Sequence, residues 1–115
     1  MIRRAKDMLI ESKKMFDGAG EAEMHRILQT PEEMYNKGRV FSHMVLHPGT
    51  EVGYHVHHGD GETYYILKGK AKYNDNGHVI TLEPGDVSFT DDGEGHGIKG
   101  VGDEDLEFIA LILYK

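Results

Sequence analysis

The chain of 115 residues sets 13 lysines and arginines against 20 aspartates and glutamates, a net charge of −7, and holds 15 glycines, eight histidines and no cysteine. That length makes one domain around a single core, and the acidic balance argues against nucleic acid or an anionic lipid surface as a partner. Without cysteine there are no disulfides, iron–sulfur clusters or thiolate sites, so a bound metal must use imidazoles, carboxylates or water.

The basic start, Met1-Ile2-Arg3-Arg4-Ala5-Lys6, runs into no apolar stretch of about 7–15 residues and is not read as a secretory signal. The longest apolar run, Phe108 to Leu113, is far too short to span a bilayer, and the cytoplasm is the expected location. Over 3–16, Met8, Ile10, Met15 and Phe16 fit neither a helical nor a strand period. A short amphipathic helix and an extended arm lying on this subunit or a partner both stand open, the arm because a small β domain has edges to cover. Residues 22–29 suit a further strand. Thr30-Pro31-Glu32-Glu33 opens like a helix, with Thr as N-cap, Pro at the first position and acids in the first turn, but Gly38 leaves room for only a turn or so.

Texture changes near residue 37. Gly18 and Gly20 are the only glycines before it, and 38–115 hold the other 13. The chain is expected to divide into an N-terminal arm, 1–36, that contacts a partner in a homodimer, and an all-β body, 37–115. Alternation and β-branched or aromatic content predict strands over 39–47, 52–57, 62–68, 70–74, 78–82, 86–89, 97–99 and 106–114. Pro48-Gly49, Asn76-Gly77 and Pro84-Gly85 are the turns, Asn76-Gly77 being a strong hairpin signal. Short strands broken about every 8–12 residues indicate a sandwich or small barrel.

The chemistry concentrates in GTEVGYHVHHGDGETYYILKG, 49–69. His55 and His57, two apart on a strand, point to one face. If the next strand pairs antiparallel, Glu62 returns to the same interior, and two imidazoles and a carboxylate converge. His58 has the opposite parity and should face away. Tyr64 and Ile66 share the face of Glu62, while Tyr65 and Leu67 should pack on the other side. Tyr64 is either plain aromatic core or a phenol that donates to a ligand. His96 ends a second stretch, GHVITLEPGDVSFTDDGEGHGIKG, among glycines; it is either an exposed loop histidine or a fourth ligand. His43 is a candidate cavity liner, and His25, His58 and His78 are expected at the surface.

Here the sequence resembles the cupins. The first cupin motif, G-x5-H-x-H-x4-E-x6-G, meets Gly49, His55, His57, Glu62 and Gly69 at every fixed position. The second, G-x5-P-x-G-x2-H-x3-N, aligns Gly85, Gly93 and His96, with Asp91 where Pro is usual and Gly100 where Asn is usual. The resemblance covers roughly residues 38–114. It implies a single-domain, all-β double-stranded β-helix, or jelly-roll barrel, of the germin-like kind with an N-terminal extension. Inside it, the resemblance implies, His55, His57, Glu62 and His96 would hold one divalent metal.

Mixed nitrogen and oxygen ligation suits manganese, iron, nickel, cobalt or zinc, with manganese or iron favoured, and leaves the ion about +1 in net formal charge. Open positions on it would take an anionic small-molecule chelator. YYILKGKAKYNDNG, PGDVSFTDDGEGHGI and GDEDLEFIALIL look closest to small bacterial cupins tied to oxalate. The resemblance therefore implies an oxidoreductase or decarboxylase acting on oxalate or a related carboxylate. A non-catalytic binding or sensing module and a sugar isomerase or epimerase are the alternatives. Glu94 and Tyr64 are the candidate catalytic residues, and Tyr64, Ile66, His43 and Ile98 the candidate pocket lining. Against a sugar phosphate, the motif strands hold no cluster of lysine or arginine, Lys68, Lys70 and Lys72 being the nearest.

Overall fold

Alternation decides the architecture. In the computed structural model, which describes residues 1–115, a third strand, β3 (Gly38–Leu46), buries Val40, Ser42, Met44 and Leu46. The last strand, β10 (Leu106–Tyr114), buries Leu106, Phe108, Ala110 and Ile112, and β5 (Asp60–Lys68) buries Glu62, Tyr64 and Ile66 while Tyr65 and Leu67 stay exposed. A period of two puts each set on one face. β10 lies between β3 and β5, with Phe108 opposite Met44 and Ile66, Ala110 opposite Ser42 and Tyr64, and Ile112 opposite Val40 and Glu62.

The remaining strands are β1 (Ile10–Lys13), β2 (Ala22–Leu28), β4 (Glu51–Val56), β6 (Lys70–Asp75), β7 (His78–Leu82), β8 (Val87–Thr90) and β9 (Gly95–Val101). They complete two antiparallel sheets, ordered β1-β2-β3-β10-β5-β8 and β4-β9-β6-β7. Val52, Ile98 and Tyr73 stand in register on β4, β9 and β6 and close the core from the smaller sheet against Phe108, Ile66 and Leu46. No helix is long and apolar enough to cross a membrane.

The division of texture at residue 37 is not a division of structure. β2 pairs with β3, Met24 facing Met44, and β1 pairs with β2, Ile10 facing His25. The expected arm therefore supplies two strands of the larger sheet within this chain. Of the two readings open for 3–16, the helix is present only as one 3-10 turn, Ala5–Asp7, which buries no residue, and Ile10–Lys13 is extended. The short helix after Thr30 is likewise a single 3-10 turn, Glu32–Met34, whose Glu33 amide donates to the Thr30 hydroxyl at 3.2 Å.

Between β1 and β2 the chain crosses to the smaller sheet. Gly53 N–H donates to the Met15 carbonyl at 3.0 Å, and Glu51 N–H to that of Ala19 at 2.8 Å. The two backbones touch: a Cβ on Gly18 would stand 2.0 Å from the Glu51 carbonyl oxygen, and one on Gly53 1.9 Å from that of Phe16. Only glycine permits this approach. The crossing holds Phe16 and Asp17 at positive φ, 51° and 60°, a left-handed conformation that is uncommon for a bulky side chain and is kept only where the surroundings impose it.

Candidate metal centre

β4 and β9 set the first pair of ligands, because their register places His55 opposite His96. His57, two residues after His55 and just past the end of β4, shares the face of His55. Glu62 arrives differently from expectation. β4 and β5 do not form a hairpin, since β4 pairs with β9 and β5 with β10 and β8. The turn at His58-Gly59 carries the chain from one sheet to the other, and Glu62 meets the histidines across the barrel. His96 is buried on β9 and is no loop residue; the strand starts two residues earlier than the sequence suggested.

His96 Nε2 lies 3.1 Å from both His55 Nε2 and His57 Nε2, and Glu62 Oε1 lies 3.0 Å from His96 Nε2 and 3.2 Å from His57 Nε2. The other ring nitrogens are engaged elsewhere. Nδ1–H of His55 donates to the Gly53 carbonyl at 2.8 Å and that of His57 to Asp60 at 2.6 Å. Nδ1 of His96 meets the hydroxyls of Tyr73 and Thr90 at 2.8 and 2.9 Å, and either oxygen can accept its proton. A neutral imidazole with its proton on Nδ1 presents a bare lone pair at Nε2. Three such lone pairs and a carboxylate oxygen aimed at one point repel one another unless a cation lies among them. Bonds of about 2.1 Å at right angles put neighbouring donors about 3.0 Å apart, close to the spacing found. The four side chains fit a divalent metal, in agreement with their being the group of the fold able to hold one.

Electrostatics follow the same geometry. Burial alone would push the Glu62 carboxyl up, but His57 and His96 hold it below the usual glutamate value. Burial also opposes ionisation of Asp60, yet His57 and Arg39 keep it low. The Glu62 carboxylate beside its Nε2 raises His57 against its burial by favouring the protonated ring, with Asp60 adding to the rise, whereas burial lowers His55. Burial, with the Glu62 charge beside it, lifts the Tyr64 phenol well above its ordinary value, so it keeps its proton near neutral pH.

His55, His57 and Glu62 open into a cavity of about 330 Å³, with His96 buried behind them. Tyr64 lines it, its ring stacked on His96 at 4.9 Å and packed on Phe108 at 4.5 Å. Three expected residues lie elsewhere. Ile66 and Ile98 are in the apolar core rather than the cavity wall. His43 is on the outer face of the larger sheet, bonded to Glu107 at 2.8 Å and beside His25, because the residues of β3 that face inward are its even-numbered ones. Glu94 is braced on its own turn, accepting from the Asp91 amide at 2.9 Å and the Asn76 side chain at 3.1 Å. It does not line the cavity, and only its main-chain carbonyl serves the site, accepting from His57 N–H at 2.9 Å.

Sequence reasoning did not find the residues brought by the N-terminal crossing. Phe16 stacks flat on His55, 3.8 Å between centroids at 9°. Lys13, Lys14, Arg26 and Arg39 line the cavity, with Glu62 its one acidic residue. A chain of net charge −7 thus encloses a basic pocket. The Asp60, Tyr73 and Thr90 supports were missed as well; the parity of Asp60 with Glu62 and of Tyr73 with Ala71 was the available signal.

Groups that orient a metal-binding histidine tune the site strongly. Asp60→Ala is expected to weaken divalent-metal affinity by about 10–100-fold with the fold retained. Titration against a chelating dye, with circular dichroism as the control, measures it; unchanged affinity would deny Asp60 that role.

Residues 42–112 match the model of the cupin domain family. The chain is 45% identical over 114 residues to an oxalate-binding protein of Thermotoga maritima, covering 98% of this chain and 93% of that one. A crystal structure from Thermotoga maritima, described as a predicted oxalate decarboxylase, superposes with a TM-score of 0.92 at 44% identity over the whole of both chains. An uncharacterised Klebsiella pneumoniae protein with a double-stranded β-helix domain matches with a TM-score of 0.73 at 25% identity, over 98% of this chain and 84% of that one.

Proposed function

The chain belongs to the cupin domain family, and on that premise we propose that His55, His57, Glu62 and His96 hold one divalent transition metal, manganese or iron by preference, that binds oxalate or a related small carboxylate. The reaction class we assign is oxidoreductase or decarboxylase. The observation that carries this reading is the convergence of three Nε2 atoms and Glu62 Oε1 at 3.0–3.2 Å beneath a pocket whose other charged lining residues are Lys13, Lys14, Arg26 and Arg39.

When bound, the metal supplies a Lewis acid with open positions for adjacent oxygen atoms. The chain supplies the rest. Of the cavity's four basic side chains, Lys13 and Lys14, which form no ion pair, raise the local concentration of an anion. The Tyr64 phenol, protonated and buried, is placed to donate a hydrogen bond to a ligand oxygen. Phe16 and Met15 line the cavity on the side of His55, with Phe16 stacked on its ring. The sequence also named Glu94 as a proton donor; with its carboxylate turned to Asn76, Tyr64 is left as the candidate.

One observation favours the non-catalytic alternative, a binding module. Besides the ligands, the lining offers Tyr64, whose buried phenol holds its proton, two lysines and two arginines, and no further carboxylate or imidazole to carry a proton. A homodimer, supported by the exposed Tyr65 and Leu67 on the outer face of β5, and a cytoplasmic setting complete the reading.

The experiment is a calorimetric titration of oxalate into the manganese-loaded, iron-loaded and metal-free chain, followed by assay of carbon dioxide and formate. Binding to the loaded forms alone is expected. Product separates the enzyme from the binding module, and absence of binding to every form would reject both.

A further inference from the structure

We propose that the ligand of this cavity is a 2-oxo monocarboxylate with an extended apolar side chain, its acid and keto oxygens at the metal and its tail against the larger sheet. This rests on the reading of the quartet as a metal site. The first observation is size: about 330 Å³ falls within the range of pockets that enclose ligands larger than a two-carbon diacid, about 300–1,000 Å³.

The second is the lining. Nine of its 16 residues are hydrophobic. Met24 of β2, Met44 and Val40 of β3, and Ala110 and Ile112 of β10 are nearly fully buried on the inner face of the larger sheet. None of these five side chains offers a hydrogen bond, so a second carboxylate laid against them would lose its water without replacement, whereas an alkyl or aryl tail gains by leaving water. The two methionines are flexible enough to fit tails of different shape.

The third is where the charge is spent. Arg39 is bonded to Asp60 at 2.9 Å, and Arg26 is paired with Glu11. That leaves Lys13 and Lys14 without an acidic partner, at the crossing segment. They suit attraction of one anionic head; they do not provide a second buried anchor. A 2-oxo acid keeps the pair of adjacent oxygen donors that oxalate has and replaces its far carboxylate by a ketone bearing the tail.

The test titrates the manganese-loaded full chain with oxalate, pyruvate, 2-oxobutanoate, 2-oxohexanoate and 2-oxooctanoate. Affinity should climb along the 2-oxo acids by about two- to fourfold for each early methylene, the value for transfer out of water. A flat or falling series with oxalate still bound overturns this inference and leaves the metal reading standing. If neither oxalate nor any 2-oxo acid binds, the carboxylate-binding reading of the site falls with it. Ala110→Leu, which fills the wall beside Tyr64, should flatten the climb; a climb as steep as in the unaltered chain would overturn the proposal. The series in the unaltered chain decides by itself if that variant does not fold.

Discussion

His96→Ala should weaken divalent-metal binding by more than about 100-fold, beyond the loss expected from any supporting residue. His96 is fully buried, and its Nε2 is the one donor within 3.1 Å of each of the other three. Its removal deletes a ligand and opens a gap that no neighbouring nitrogen or carboxylate can reach, since the Tyr73 and Thr90 hydroxyls stand on its far side, against Nδ1. A competition titration with a chelating dye measures the effect. Retention of affinity within about tenfold would mean that the ion, if bound, is held elsewhere.

Phe108→Ala should cost about 3–5 kcal/mol of stability, the range for truncating a fully buried aromatic. Phe108 has no exposed surface and stands on β10 between Met44 and Ile66. Its ring also supports Tyr64, which lies over His96, so the loss of packing reaches the ligand set. Against a total stability of about 5–15 kcal/mol that is a large fraction. Urea denaturation with linear extrapolation reads it, and Val87→Ala, on an exposed side chain of β8, should stay within about 0.5 kcal/mol. Equal effects of the two would contradict the assignment of the core.

Much of the barrel was legible because strand burial follows a period of two. Leu106, Phe108, Ala110 and Ile112 alternate cleanly, and Asn76-Gly77 forms the hairpin turn its residues require, both at positive φ. His55, His57 and Glu62 were also readable, from parity and spacing. The route of Glu62 was not, because parity assigns a face within a sheet and says nothing about which sheet a strand joins. The family resemblance, rather than local pattern, singled out His96 as a ligand; glycines flank it on β9, and they look like a loop in sequence.

The basic lining and the Phe16 stack were illegible for a related reason. Lys13, Lys14 and Phe16 show no periodicity, and they reach the cavity only because Gly18 and Gly53 let two backbones touch across the sheets. His43 and Glu94 fail in the opposite way. Each is a chemically suitable residue near the motif in sequence, and each is turned from the cavity by its strand parity or its turn.

The central claim is that this cavity is a metal centre, and metal content tests it most directly. The chain purified without added metal, then loaded with manganese and dialysed, should retain one divalent ion per chain by elemental analysis, and Glu62→Ala should retain none. An unaltered chain that keeps no ion, or a Glu62→Ala variant that keeps as much as the unaltered chain, would contradict it.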